Sequence, residues 1–322
     1  MTAMRCIGTF ACACALAPSA ACAQAFPTKS VRYIVPSLPG GGSDIVGRMM
    51  AAHMSQTFKQ QVVVDNRAGG GGNIGAEIGA KSVPDGHTIF QMAVTHAINV
   101  TLYKNLGYDI VRDFTPITRL ASSPLVVTVH PSLPVKTMAE LIQAAKAKPG
   151  GINYGSAGTG TPTHMAVESF KRRAGIDLVH VPYKGGGGAQ ASIIAGETQL
   201  YFANIVTAMP HVQTGRLRAL AVTSPKRVPL IPDYPTVEET GYPGYQSETW
   251  FGIMLPAKTP KHVVTIVRNA ALAALNAPEL NKRLIDMAFI PIGDSAAEFA
   301  AYIQSEIATY GKLVRELKVT SE

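Results

Sequence analysis

A two-lobed α/β architecture on mostly parallel sheets is predicted by three observations. Short β-rich apolar runs alternate with helical segments, the rhythm of strand–helix units. That rhythm runs through two successive series and is followed by a Pro-rich return and a set of C-terminal helices. Hydrophobic residues make up 47% of the 322 residues, enough for one large or two modest cores.

The first series opens with a strand over 31–35, broken by the segment from Pro36 to Gly42. Ser43 or Asp44 then caps a helix whose Ile45, Met49 and Ala52 share a face. A second strand is expected over 62–64, a helix over 74–81 after the glycines 69–72, a turn at Pro84-Asp85-Gly86, and a third strand over 88–94. The second series starts with a strand over 125–129 and a helix over 137–147, stopped by Pro149-Gly150-Gly151. Residues 152–155 form a strand, and Thr161 caps a helix that has Pro162 at its first position. A strand over 178–181 leads through Pro182-Tyr183-Lys184 and four glycines to a helix over 189–195 that Gly196 ends. Strands over 200–203 and 217–222 precede the Pro-rich passage 225–243. The last third holds a strand over 250–255, helices near 261–276 and 279–287, and a long helix to about Leu317 that opens with a Ser295/Glu298 capping box.

This order takes the chain through lobe one, lobe two and lobe one again. Residues 24–123 and 226–322 are assigned to the first lobe and 124–225 to the second, with crossings near 122–125 and 226–249 that act as a hinge.

All four cysteines (Cys6, Cys12, Cys14, Cys22) lie within a segment that reads as a secretory signal: Arg5, an apolar run over 7–16, and a small-x-small site at Ala21-Cys22-Ala23. Cleavage is expected after Ala23, with Ala25 a second acceptable site and lipidation at Cys22 disfavoured because Ser19 stands where such boxes carry Leu. The mature chain is then a periplasmic protein without cysteine, a disulfide framework or a thiolate metal site. Its net charge of +8 comes from scattered Lys and Arg, with no basic run interleaved with aromatics, which argues against nucleic acid. A metal is not predicted, because no His/Asp/Glu cluster has ligand spacing, and no cofactor is predicted either.

Glycine-rich loops recur between a strand and a helix: 38–44, 156–161 and 184–188. Each can offer backbone N–H groups and a positive helix end to an anion. The first lacks the Gly-Lys-Ser/Thr ending of a nucleotide loop. Gly70-x-Gly72-x-x-Gly75 matches a dinucleotide fingerprint, but no strand ending in an acidic residue follows at the expected distance. Tyr154-Gly155-Ser156-Ala157-Gly158 approaches a nucleophile elbow, with Tyr154 where glycine belongs, and nothing in the sequence pairs His87, His164 or His180 with Ser156. A hydrolase or an NAD-dependent enzyme on these loops is the alternative to a non-enzymatic binding protein. His164, in the first turn of its helix, is expected to be neutral.

The runs 35–44 (VPSLPGGGSD) and 63–75 (VVDNRAGGGGNIG) resemble the Bug (TctC-like) family, extracytoplasmic solute receptors of tripartite tricarboxylate transporters. The similarity continues through Pro84-Asp85-Gly86-His87-Thr88, 113–116, Tyr154-Gly155-Ser156, 180–185, 215–223, Pro235-Thr236 and Trp250-Phe251-Gly252. The resemblance implies a type II-like two-lobed periplasmic-binding-protein fold, a small carboxylate in the cleft, monomeric action and membrane transporter subunits or a sensor as partners. It places Pro39, Gly40, Gly41, Asp44, Ser156, Gly158, Thr159, Thr161, His164 and Lys184 at the ligand, with Thr95, His96 and Asn204 lining the cleft. Ser37 and Leu38 replace the family's usual aromatic–proline pair, and Ala203 stands where many relatives have aspartate. Without that acid an ammonium group has no partner, which favours a dicarboxylate or an aromatic carboxylate over an acidic amino acid.

Overall fold

A computed structural model describes residues 26–320. The expectations for the export signal, its cleavage after Ala23 and Cys22 fall on residues 1–25, outside the described residues.

The first lobe is built on β1 (Val31–Val35), α1 (Gly42–Phe58), β2 (Val62–Asn66), a 3-10 turn at Gly70–Gly72, α2 (Asn73–Ala80), β3 (Thr88–Ala93) and α3 (Val94–Leu102). A 16-residue strand, β4 (Phe114–Val129), leads to α4 (Met138–Ala147), β5 (Asn153–Ser156), α5 (Pro162–Ala174), β6 (Val179–Pro182), α6 (Gly186–Ala195), β7 (Leu200–Asn204), α7 (Ile205–Gln213) and β8 (Arg218–Val222). The chain returns through β9 (Glu248–Pro256), α8 (Lys261–Asn276), α9 (Pro278–Asp286), β10 (Ile290–Pro291) and α10 (Ala296–Leu317). Strand order is β2-β1-β3-β9-β4-β7-β5-β6, with β8 and β10 also paired to β4. The β1/β2/β3 and β5/β6/β7 groups are parallel, and helices cover both faces, as two-lobed α/β packing requires.

β4 belongs to both half-sheets. Its first part pairs antiparallel with β9 from Phe114↔Pro256 to Pro124↔Glu248, and its second part pairs with β7 from Leu125↔Asn204 to Val129↔Leu200. The sequence reading recovered only 125–129 of it, because Pro116 and Pro124 break the strand signal. The register shifts between Pro116 and Thr118, a bulge that accommodates a residue lacking an N–H, and Pro124 sits where the strand leaves one sheet for the other. α3 and α7 were also unanticipated. The first reads as a strand continuation rich in β-branched residues, and the second carries Pro210 inside the helix.

Four apolar clusters fill the molecule, two on the faces of each half-sheet. Val237 and Tyr245 pack in the same cluster as Leu125, Phe170 and Phe202, so part of the 226–249 return, assigned by composition to the first lobe, rests on the second. Its apolar side chains complete the core beside β8, and Val222 bridges Thr236. Ser247, the residue before β9, still holds to the second lobe, its N–H donating to the Thr223 carbonyl at 3.1 Å.

Among the contacts that tie the lobes together, Val206 of α7 packs against the first-lobe core and Ala288 lies in a second-lobe cluster. Met165 of α5 is buried in the cluster formed by α3, α10 and β3. Gly160 approaches Leu102 so closely that any side chain there would collide, and Arg172 pairs with Glu316 of α10. Gly252 lets β9 meet the Phe299 ring of α10 in the same way. Replacing Gly252 with Ala should therefore cost about 1–3 kcal/mol by overpacking, read as a lower denaturant midpoint at unchanged m-value.

Candidate functional site

Register alone establishes where the cleft lies. Ala93, the last residue of β3, is level with Phe251, which is level with Ala121; Asn204, the last residue of β7, is level with Leu125. β3 runs parallel to β4 and β7 runs antiparallel to it, so the carboxyl ends of the two parallel strand groups point toward each other, about 13 Å apart along β4. The segments after β1, β3, β5, β6 and β7, each entering a helix N-terminus, face that gap. Ligands of open α/β sheets bind outside the carboxyl ends of strands.

On the first lobe, Pro39, Gly40 and Gly41 form an exposed loop, with Gly40 at φ 87°. The helix cap differs from expectation. α1 starts at Gly42 with Gly41 as N-cap, because Ser43 is taken by Gln91 Nε2 (2.7 Å to Oγ) and Asp44 is turned back into the loop. Asp44 is 4% exposed and accepts from the Gly40 N–H (2.9 Å), Asn66 Nδ2 (2.9 Å) and Arg48 Nε (2.9 Å). Burial works against its charge, but the Arg48, Gly40 and Asn66 hydrogen bonds win and hold its pKa below the ordinary carboxylate value. Asp44 is thus a brace that shapes the loop, leaving the first N–H groups of α1 to face the cleft.

On the second lobe, Ser156, Gly158, Thr159, Thr161 and His164 surround the turn between β5 and α5. Thr161 is the N-cap and Pro162 the first helical residue, as the sequence indicated, although the Thr161 hydroxyl donates to the Gly158 carbonyl (2.6 Å) rather than capping. Thr163 Oγ1 accepts the Ala157 N–H (2.9 Å), His164 Nδ1 accepts the Gly160 N–H (3.1 Å), and Ser156 Oγ accepts the Gly158 N–H (3.1 Å). Ser156 Oγ also lies 2.7 Å from His180 Nε2, a pairing the sequence did not reveal because it depends on the β5/β6 register of Tyr154↔His180 and Ser156↔Pro182. The His180 ring stacks on His164 at 3.9 Å and on Tyr154 at 4.9 Å; Tyr154 OH donates to Glu168 Oε1, which also holds Lys171 Nζ at 2.8 Å. Burial pushes the pKa of both histidines down to about 4, each nearby positive group adding to the effect. Both rings are neutral at pH 7, as expected for His164.

The remaining candidates divide. Lys184 is exposed, and Asn204 is the half-buried N-cap of α7 with its side-chain amide toward no described partner. Thr95 is half-buried in the first turn of α3. His96 does not line the cleft: it is 1% exposed, accepts the Ala93 N–H through Nδ1 (3.1 Å) and packs edge-on against Phe90, with its pKa lowered to about 4 by burial. It supports the turn at Gly72, where an added Cβ would meet its Nε2 at 3.0 Å. Asn66, Thr163 and His180 were missed as supports of the two loops; the Val-Asp-Asn ending of β2 and the Thr-x-x-His and His-x-Pro spacings were the available signals.

The enzyme alternatives find no support in this geometry. Ser156 is 0% exposed, and no carboxylate among the described residues hydrogen-bonds His180. Gly72 and Gly75 serve close packing, an added Cβ at Gly75 meeting the Arg67 carbonyl at 3.0 Å and Pro36 at 3.1 Å.

Three histidines with folded pKa near 4 and unfolded values near 6.5 give a defined pH signature. Their unfolded forms take up protons first on acidification, so stability is full above about pH 6.5 and falls progressively toward pH 4. Thermal melts should show the decline already between pH 6.5 and 5, where depressed carboxylates such as Asp44 contribute little; a flat Tm across that window would contradict it.

A family model described as the tripartite tricarboxylate transporter family receptor (TctC) matches residues 46–319. Protein BugT of Bordetella pertussis is 30% identical over 296 residues, 91% of each chain. Among solved structures, R. palustris Rpa4515 with adipate is 34% identical with a TM-score of 0.87, covering 92% of this chain and 99% of that one. MatC from Rhodopseudomonas palustris with bound malate is 29% identical with a TM-score of 0.82, covering 90% and 99%. The motifs, the shared strand and the facing loops are therefore those of a relative of these receptors: the chain belongs to the TctC (Bug) family of periplasmic solute receptors.

Proposed function

We propose that this protein captures a small carboxylate in the periplasm by closing two lobes around it and passes it to membrane subunits of a transporter, acting as a single chain without turnover. The observation that carries the reading is the convergence of two braced glycine loops on the gap spanned by β4. Neither loop brings a charged side chain to the ligand. Instead, Asp44, Thr163, His164 and Ser156 occupy some N–H groups and thereby aim the others. The likeness to relatives whose structures hold adipate and malate supports the ligand class.

The scale is adequate. Hydrogen bonds to a charged group net about 1.5–3 kcal/mol each, so three or four exceed the ~8 kcal/mol of a micromolar site before ordering costs. No lobe-two acid stands at Ala203, which favours plain di- or aromatic carboxylates over acidic amino acids. Leu38, 58% exposed at the tip of the first loop, offers an apolar contact for the ligand body. We place the hinge where β4 passes Pro124 and the return meets Ser247–Thr249, with lobes, among the described residues, close to 26–123 plus 249–320 and 124–248.

Gly41→Val separates binding from folding. Gly41 has ordinary φ −83°, and an added Cβ meets nothing nearer than 4.0 Å, so the fold should persist while the side chain covers the donors. Calorimetry with a di- and aromatic-carboxylate panel should show micromolar-class binding by the wild type and a loss of at least about a hundredfold in this variant. Gly158→Val, at φ +128° and 3.2 Å from the Tyr183 carbonyl, should lose binding and some stability together, whereas Lys184→Ala should weaken binding only a few-fold. Unchanged affinity in both glycine variants, or tightest binding of glutamate or aspartate, would refute the loop reading or the ligand class respectively.

A further inference from the structure

Among the described residues, Gln190 is the one buried side-chain amide that has neither its oxygen nor its nitrogen hydrogen-bonded, although the residue is only 8% exposed. Buried amides are ordinarily paired, and an unpaired one destabilises the folded state, so its presence calls for a partner outside the chain or a function.

Its position shows where that partner would lie. Gln190 sits one turn into α6, the helix whose N-terminus follows β6 at the carboxyl edge of the second half-sheet. Helical side chains lean back toward the N-terminus, and Gln190 shares a face with Gly186 four residues earlier. A Cβ at Gly186 would stand 3.4 Å from the Tyr201 hydroxyl, which therefore lies against the first residue of α6. Tyr201 is 1% exposed, and its hydroxyl has no hydrogen-bond partner among the described residues. Gly187 has nothing within 4 Å of an added Cβ, so no side chain closes the first turn of the helix on that side. An unpaired buried amide and an unpaired hydroxyl thus both stand at the first turns of α6, at the carboxyl edge of the second half-sheet.

We infer that Gln190, together with the Tyr201 hydroxyl, binds the second polar end of the ligand and sets which far group the receptor accepts. This rests on the carboxylate reading above, with the braced loops taking the first carboxylate. Nε2–H and the Tyr201 O–H supply donors and the start of α6 adds a positive helix end, a set suited to a second carboxylate. An ammonium group would meet two neutral acceptors, Oε1 and the Tyr201 hydroxyl oxygen, but no counter-charge and an unfavourable helix end. The pair therefore distinguishes dicarboxylates from monocarboxylates and amino acids without a charged side chain.

The test compares wild type with Gln190→Leu and Tyr201→Phe by calorimetry, on unbranched dicarboxylates of four to eight carbons and the monocarboxylates of equal length, with the Tm of each unliganded protein. Gln190→Leu should leave the unliganded Tm unchanged or raise it, since it removes an unpaired buried amide. It should weaken the best dicarboxylate by about tenfold or more while changing the matched monocarboxylate by less than about threefold. Tyr201→Phe should weaken the same dicarboxylate in the same selective way. The inference is overturned if dicarboxylate affinity is unchanged, if mono- and dicarboxylates lose equally, or if Gln190→Leu lowers the unliganded Tm, which would mark a structural amide. Failure of the wild type to bind any carboxylate would instead remove the underlying reading, and this inference with it.

Discussion

The shared strand β4 is the constraint from which the site follows. One strand supplies hydrogen bonds to β9 along its first part and to β7 and β8 along its second, so the two half-sheets cannot choose their relative orientation independently. With β3 parallel to β4 and β7 antiparallel to it, the carboxyl ends of both strand sets must meet at the crossing. The turns after β1, β3, β5, β6 and β7 then face the same gap, and the positive ends of α1, α3, α5, α6 and α7 are directed at it together. Around Pro124 β4 hands its pairing from one sheet to the other, beside the point where Ser247 precedes β9.

The two loops at the gap are held by opposite devices. In the first lobe a buried carboxylate, kept ionised by Arg48, Gly40 and Asn66, pulls the loop back onto α1. In the second lobe neutral imidazoles do the holding: His164 accepts a backbone N–H, and His180 backs Ser156 while stacking on His164 and Tyr154. Neutrality is essential there, because protonated His164 Nδ1 would have no lone pair for Gly160. Burial supplies that neutrality by opposing the charged form. The Ser–His proximity that would suggest a nucleophile in an exposed cleft is, at a fully buried serine, an element of loop support.

The strand–helix rhythm was legible because period-2 apolar runs and glycine punctuation are local signals. β1, α4, α5, α8 and α10 were recovered, the Ser295 capping box as read, while Thr137, read as helical, is the N-cap of α4 and accepts the Glu140 N–H. β4 was only partly legible, since its prolines are tolerated by a bulge and a sheet change that are not local properties. His96 illustrates the limit for the site: a histidine just after a strand at the cleft edge reads as a ligand contact, yet its ring packs inward against Phe90 and the Gly72 turn.

The sequence by itself determined the α/β class, the two series, the glycine loops and the family, because each resides in the order and spacing of nearby residues. The tertiary structure alone decided that these loops face one another, that Ser156 meets His180, that Asp44 is spent as a brace, and that Gln190 and Tyr201 stand unpaired at the same helix end. Apart from the contacts of Asp44 with Gly40 and Arg48, those relations join residues far apart in the chain. For Ser156, His180 and Tyr201 they depend on strand register, and a shift of one residue would turn each of those side chains to the other face of its sheet.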